Sequence, residues 1–164
     1  MKKQYDHRLK RMTYEIIAGE YTATSEPDVV LITLLGSCIA VCLIDEESHV
    51  VGMNHFMLPG SLDLGSPLST GDTKYGSASI DMLVREMVSA GAKLINLRAK
   101  VFGAGNVVGT FSGGVAGSNA EFAKDYLAAL DIPVIAEDLG GNWGRKLYFF
   151  SHSGEVFIKR ITEG

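Results

Sequence analysis

The sequence predicts a single domain of mixed α/β class, and three observations lead there. Apolar residues make up 46% of the 164 residues and charged residues 21%, enough to fill one core of ordinary size. One segment carries apolar residues at helical spacing, while most of the others are short apolar or β-branched runs. Strand-like runs meet tight turns near both ends of the chain, which reads as a β-hairpin at each end.

The elements follow in order. Residues 1–12 are expected to form an N-terminal arm, leaving 13–164 as the domain. Tyr14 to Thr24 is β-like, and Val29 to Leu35 is a continuous apolar run that suits a buried strand. Gly36-Ser37 breaks the run. Residues 39–44 (IAVCLI) are apolar again and end at Asp45-Glu46-Glu47-Ser48, and Val50 to Leu58 forms a further apolar stretch closed by Pro59-Gly60. Residues 59–76, with two prolines and four glycines, read as a loop. In Ser77 to Ala90, Ile80, Leu83, Val84, Met87 and Val88 fall on one stripe of a helix, and Gly91 supplies a stop. Leu94 to Phe102 reads as a strand and 103–118 as a glycine-rich loop. A second helix is expected from Ser118, where Ser118 and Glu121 have capping-box spacing. Ile132 to Ala136, Lys146 to Phe150 and Glu155 to Ile161 finish the chain as strands.

Composition narrows the function classes. A net charge of −4 disfavours nucleic-acid binding, because neutralising phosphates needs surplus Lys and Arg. No run approaches the ~20 apolar residues of a membrane span. The basic N-terminal residues are not followed by an apolar stretch, so no secretory signal is expected. Two cysteines, Cys38 and Cys42, are too few for a disulfide scaffold, and their spacing is not that of a redox or zinc pair. Reduced thiols in the cytoplasm are the simplest reading.

The chemistry concentrates between Leu34 and Pro59. If Glu46-Glu47 is a two-residue hairpin loop, Cys38 faces His55 across the strands. Opposed side chains share a face, with Cβ atoms ~4.5–5.5 Å apart, so thiol and imidazole are within reach of each other. The imidazole can take the thiol proton, making Cys38 the nucleophile and His55 its base. Gly36 permits close approach of a substrate, and free backbone N–H groups around Ser37, with the Asn54 side chain, are candidates for holding an oxyanion. Cys42 reads as core, and His7, His49 and His152 as surface. The loop Phe102-Gly103-Ala104-Gly105 lacks dinucleotide spacing, and there is no Gly-Lys-Ser/Thr for a phosphate loop. The six glycines of residues 103–118, with Phe102 and Phe111 interspersed, suggest instead a surface for a partner helix.

The runs LLGSCIAVCLID (34–45), GMNHFMLP (52–59), KYGSASIDMLVREM (74–87), GAKLINLRAKVFGAGN (91–106) and EDLGGNWGRKLYFFSHSGEVFIKRI (137–161) resemble the CheD family of chemoreceptor glutamine deamidases. The resemblance spans about Tyr14 to Ile161. It implies an α/β sandwich with flanking helices, related to deamidating toxins, and hydrolysis of glutamine side chains on chemoreceptor helices without metal or organic cofactor. It carries the family's nucleophile onto Cys38 and its histidine onto His55. A threonine on the preceding strand is implied as third member. The expected spacing falls on Ile32, and Thr33 serves only if the chain bulges or the family tolerates both positions. Partners implied are the receptor helices and a CheC-type phosphatase. The alternative is a non-catalytic chemotaxis regulator that binds receptors or that phosphatase.

Overall fold

The computed structural model describes residues 1–57, 72–107 and 113–162. Its strands are β1 (Lys2–Asp6), β2 (Arg11–Glu15), β3 (Tyr21–Thr24), β4 (Val29–Leu35), β5 (Ile39–Asp45), β6 (Val50–Asn54), β7 (Arg98–Gly103), β8 (Val134–Leu139), β9 (Gly144–Phe150) and β10 (Val156–Ile161). The helices are α1 (Gly76–Ser89) and α2 (Gly113–Ala129). The strands form two five-stranded sheets. An outer sheet runs β1-β2-β4-β9-β10 and a central sheet β3-β6-β5-β7-β8. Each sheet is mixed, with β2–β4 and β7–β8 parallel. α1 packs on β3 and β6, and α2 on β5, β7 and β8, so both helices cover one face of the central sheet. This is the mixed α/β sandwich with flanking helices that the sequence leads one to expect.

The layering explains the sequence patterns. β5 is buried at every position because the outer sheet covers one of its faces and the helices cover the other, hence the unbroken run IAVCLI. β9 alternates buried and half-buried residues because its second face meets solvent. Even-numbered Ala40, Cys42 and Ile44 join Leu31, Leu35, Leu147 and Phe149 in a core between the sheets. Odd-numbered Ile39, Val41 and Leu43 join Ile80, Leu83, Met87, Tyr126 and Leu127 in a core under the helices. Each such fully buried aliphatic side chain stabilises the fold by about 1.5–3 kcal/mol.

Several boundaries differ from the sequence reading, each for a local reason. Residues 2–6, read as part of an arm, pair with β2 as an edge strand. Residues 94–96 form a turn of 3₁₀-helix, and the strand begins only at Arg98. α2 begins at Gly113, so Ser118 lies inside the helix and does not cap it. Its glycines lower helix propensity but do not forbid a helix that packs on a sheet. α1 ends as expected: Gly91 adopts φ +115°, and the Ala92 N–H returns to Met87 O at 2.9 Å.

Candidate active site

Cys38 sits where the chain crosses between sheets. β4 ends at Leu35 in the outer sheet, β5 starts at Ile39 in the central one, and Gly36-Ser37-Cys38 make the step. The hairpin that follows differs from the two-residue loop expected. Its turn is Glu46–His49, four residues long. Asp45 Oδ1 accepts the Glu47 N–H at 2.9 Å and the Ser48 N–H at 3.2 Å, while Oδ2 accepts the Lys93 N–H at 2.8 Å. His49 closes the turn at φ +59°. A two-residue type I′ loop would need positive φ at both glutamates, which glutamate disfavours. The register therefore moves by two. Cys42 pairs with Met53, and Ile39 bridges Phe56 through bonds of 3.0 and 2.9 Å. In this register Cys38 is opposite Met57, not His55. A shift of two keeps every side chain on its face, so Cys38 and His55 remain on the inter-sheet face as diagonal neighbours.

His55 is held from the other sheet. Thr33 Oγ1 donates to Ile16 O at 2.6 Å and lies 2.8 Å from His55 Nδ1. A carbonyl only accepts, so the threonine hydrogen goes to Ile16 and Thr33 Oγ1 accepts from an Nδ1–H. That selects the tautomer with a lone pair on Nε2. Nε2 itself has no partner among the described residues. β4 pairs with β9 without a bulge, and Leu31, Thr33 and Leu35 all face inward. Ile32 points to the opposite face, so the threonine one place nearer the cysteine is the one that reaches His55. The His55 backbone is also fixed: its N–H goes to Glu20 O at 3.1 Å, and its carbonyl accepts the Gly19 N–H at 2.8 Å.

The Gly36–Cys38 step is pinned by its carbonyls. Gly36 O accepts the Gly105 N–H at 3.0 Å, and Cys38 O accepts the Ala104 N–H at 3.0 Å. Between them, Ser37 O accepts from Asn119 Nδ2 at 3.2 Å. Gly103, at φ +119°, lies against Cys38 O so closely that a Cβ there would overlap it. The N–H groups of Ser37 and Cys38 have no partner among the described residues. Asn54 Oδ1 accepts the Val41 N–H at 2.7 Å, completing the ladder where the strand pairing lapses, while its Nδ2 is buried with no partner among the described residues.

Burial sets the resting charges. It lowers His55 from 6.5 to about 4, against the opposing pull of the Ile16 carbonyl and the Glu20 carboxylate. It raises the Cys38 thiol above its ordinary value. At neutral pH both are uncharged, so the imidazole is free to take a proton and the thiol still carries one.

The pattern described as CheD chemotactic sensory transduction matches residues 57–160. Relatives named "Probable chemoreceptor glutamine deamidase CheD" extend the likeness. That of Laribacter hongkongensis is 42% identical over 97% of this chain and 77% of its own length. That of Thiobacillus denitrificans is 44% identical over 97% and 79%. The chain belongs to the CheD family. A solved structure, the Bacillus licheniformis hypothetical protein YfiH, superposes with a TM-score of 0.44 at 15% identity over 72% of this chain and 49% of that one, too distant to bear on the chemistry.

Within this CheD-family chain, the structure corrects one expectation about the partner surface. Phe102 is 4% exposed and packs between the sheets, where its neighbour across the ladder is Ala40. It is a core residue. Phe111 lies outside the described residues. His7, His49 and His152 are exposed, as read from the sequence. Two residues of the site escaped the sequence reading. Asn119 is one; a polar residue on the apolar side of a helix is the signal that would have found it. Arg145 is the other, 1% exposed, with Nη2 donating to Asp138 Oδ1 at 2.8 Å and to Gly140 O at 2.7 Å. It braces the 138–144 segment against Gly105. Among the described residues no group of three or more His, Cys, Asp or Glu is placed to hold a metal ion, and no helix is long and apolar enough to cross a membrane.

Proposed function

We propose that this chain is a cytoplasmic chemoreceptor glutamine deamidase in which Cys38 is the nucleophile, His55 the base and Thr33 the residue that orients the base. The observation that carries the reading is the Thr33–His55 hydrogen bond. It leaves Nε2 as the accepting nitrogen of an imidazole that shares a face with the Cys38 thiol.

The reaction is acyl transfer in two halves. As Cys38 Sγ attacks the glutamine carboxamide carbon, its proton passes to His55 Nε2. The unpartnered N–H groups of Ser37 and Cys38 suit the developing oxyanion. The imidazolium then gives its proton to the amide nitrogen, the C–N bond breaks and ammonia leaves, with a thioester remaining on Cys38. A water molecule attacks the thioester while His55 takes one of its protons. Collapse restores the thiol and releases a glutamate side chain. A groove lined by Leu34, Gly36, Val107, Gly144 and Ile161 lies at the end of β4, where the chain steps toward Cys38, and offers apolar contact to a receptor helix.

The test is mass spectrometry of a receptor cytoplasmic fragment co-expressed with the wild-type chain or with Cys38→Ala. Conversion of glutamine to glutamate with the wild type and none with the variant is the expected result. Equal conversion in both would overturn the assignment of Cys38. No conversion in either, with the receptor bound in a pull-down, would leave the chain a binding regulator.

A further inference from the structure

Asn119 reaches the nucleophile loop from α2, and its geometry does more than fill space. The residue is wholly buried. Its Nδ2 donates to Ser37 O at 3.2 Å and to Met57 O at 3.1 Å. Two carbonyl oxygens can only accept, so the amide orientation follows from its partners. Both hydrogens of one nitrogen are thus spent on two chain segments, the residue before Cys38 and the residue opposite it.

We infer that Asn119 is a positioning residue that aims the Cys38 N–H into the oxyanion site. The inference rests on the reading of Cys38 as nucleophile. In a trans peptide the carbonyl and the N–H of one unit point in opposite directions. Ser37 C=O and Cys38 N–H belong to the same unit, and the carbonyl is drawn toward α2 by Asn119. The Cys38 N–H therefore points away from α2. That is the side on which the thiol lies, because Cys38 packs against the core between the sheets and α2 covers the opposite face. The two flanking units are held the same way, Gly36 O by Gly105 and Cys38 O by Ala104. Backbone donors make those two anchors, and a substitution leaves them in place. The middle anchor is a side chain, and so the orientation of the Cys38 N–H depends on the identity of residue 119. The Asn119 Oδ1, buried without a partner, is consistent with selection for the nitrogen and not for the oxygen.

A paired measurement separates this role from a merely structural one. Alkylation of Cys38 by iodoacetamide displaces iodide and forms no oxyanion, whereas deamidation forms one in each half. Asn119→Asp keeps the shape and removes the donor. We expect its alkylation rate and KM to stay within about threefold of wild type while kcat for a receptor fragment falls about 10²–10³-fold, the loss typical of a missing oxyanion donor. Turnover within about threefold of wild type, or turnover and alkylation falling in step, would overturn the inference. If Asn119→Asp does not fold, Asn119→Ala, which lacks both the donor and the like charge, carries the same pair of rates. Turnover by Cys38→Ala run alongside would refute the nucleophile assignment instead, so the two failures are told apart.

Discussion

Cys38 and Cys42 lie on the same face of the same strand segment, and almost everything else about them differs. Cys42 is enclosed between the sheets, paired with Met53 on one side and Lys100 on the other, and burial drives its thiol far above the ordinary range despite the Lys100 charge. Cys38, immediately before the first residue of β5, is half-buried and flanked by unpartnered N–H groups, with a histidine diagonal to it. A thiol in mid-strand has its backbone donors committed to the ladder. A thiol at the point where the chain changes sheets keeps them free. Position relative to the strand end therefore separates a packing cysteine from the proposed nucleophile.

The largest test of that contrast is substitution of each thiol. Cys38→Ala should lower turnover by about 10⁵-fold or more, since no neighbouring group can form the thioester. Cys42→Ala should leave kcat within about threefold and cost about 1 kcal/mol in denaturant unfolding, for a small cavity between the sheets. A loss of turnover in folded Cys42→Ala comparable with that of Cys38→Ala would break the comparison. Next comes the base. His55→Asn should reduce kcat about 10²–10⁴-fold with receptor binding retained in a pull-down, and should slow iodoacetamide labelling of Cys38. Labelling of Cys42 should wait for unfolding in every variant. Thr33→Val should cost less, about 10- to 100-fold in kcat, by releasing the tautomer and the ring orientation that the hydroxyl holds. An unchanged rate would remove Thr33 from the mechanism.

The smallest effects are those of pH. Because His55 ionises only near 4 when folded, kcat/KM should hold level through the mildly acidic range and fall as pH drops through about 4. In the unfolded chain the same imidazole binds its proton near 6.5, so between 6.5 and about 4 the unfolded state holds more protons. Stability should therefore decline as pH falls across that window, by about 3 kcal/mol in all, and His55→Asn should abolish that part of the decline. An acid limb of kcat/KM near the ordinary histidine value would show the imidazole to be wetter than its surroundings indicate.

The fold class and the shared face of Cys38 and His55 were legible because both depend on parity along a strand, and parity survives a shift of two. The pairing partner was not legible. It depends on how Asp45 caps the turn, and a carboxylate can serve a short loop or a long one until its N–H partners are known. Thr33 was visible as a residue but not as a contact, because the bond to His55 joins two sheets whose stacking no local pattern encodes. Asn119 was hidden by the start of α2: a helix beginning at Ser118 puts it in the first turn among solvated groups, whereas one beginning at Gly113 turns it onto the nucleophile loop. Phe102 was placed at the end of a strand but misjudged as a partner contact because glycines follow it, whereas its side chain turns into the core where it pairs with Ala40.

Thr33 belongs to one sheet and His55 to the other, with 2.8 Å between them. The proposed catalytic array is thus a gauge of the gap between two layers. Any sliding or swelling of that seam, by a bulky substitution among Leu31, Leu147 and Phe149 or by a ligand wedged at its mouth, would disarm the base while both sheets kept every ladder bond. Warming or mild denaturant should silence such a molecule before circular dichroism registers a change.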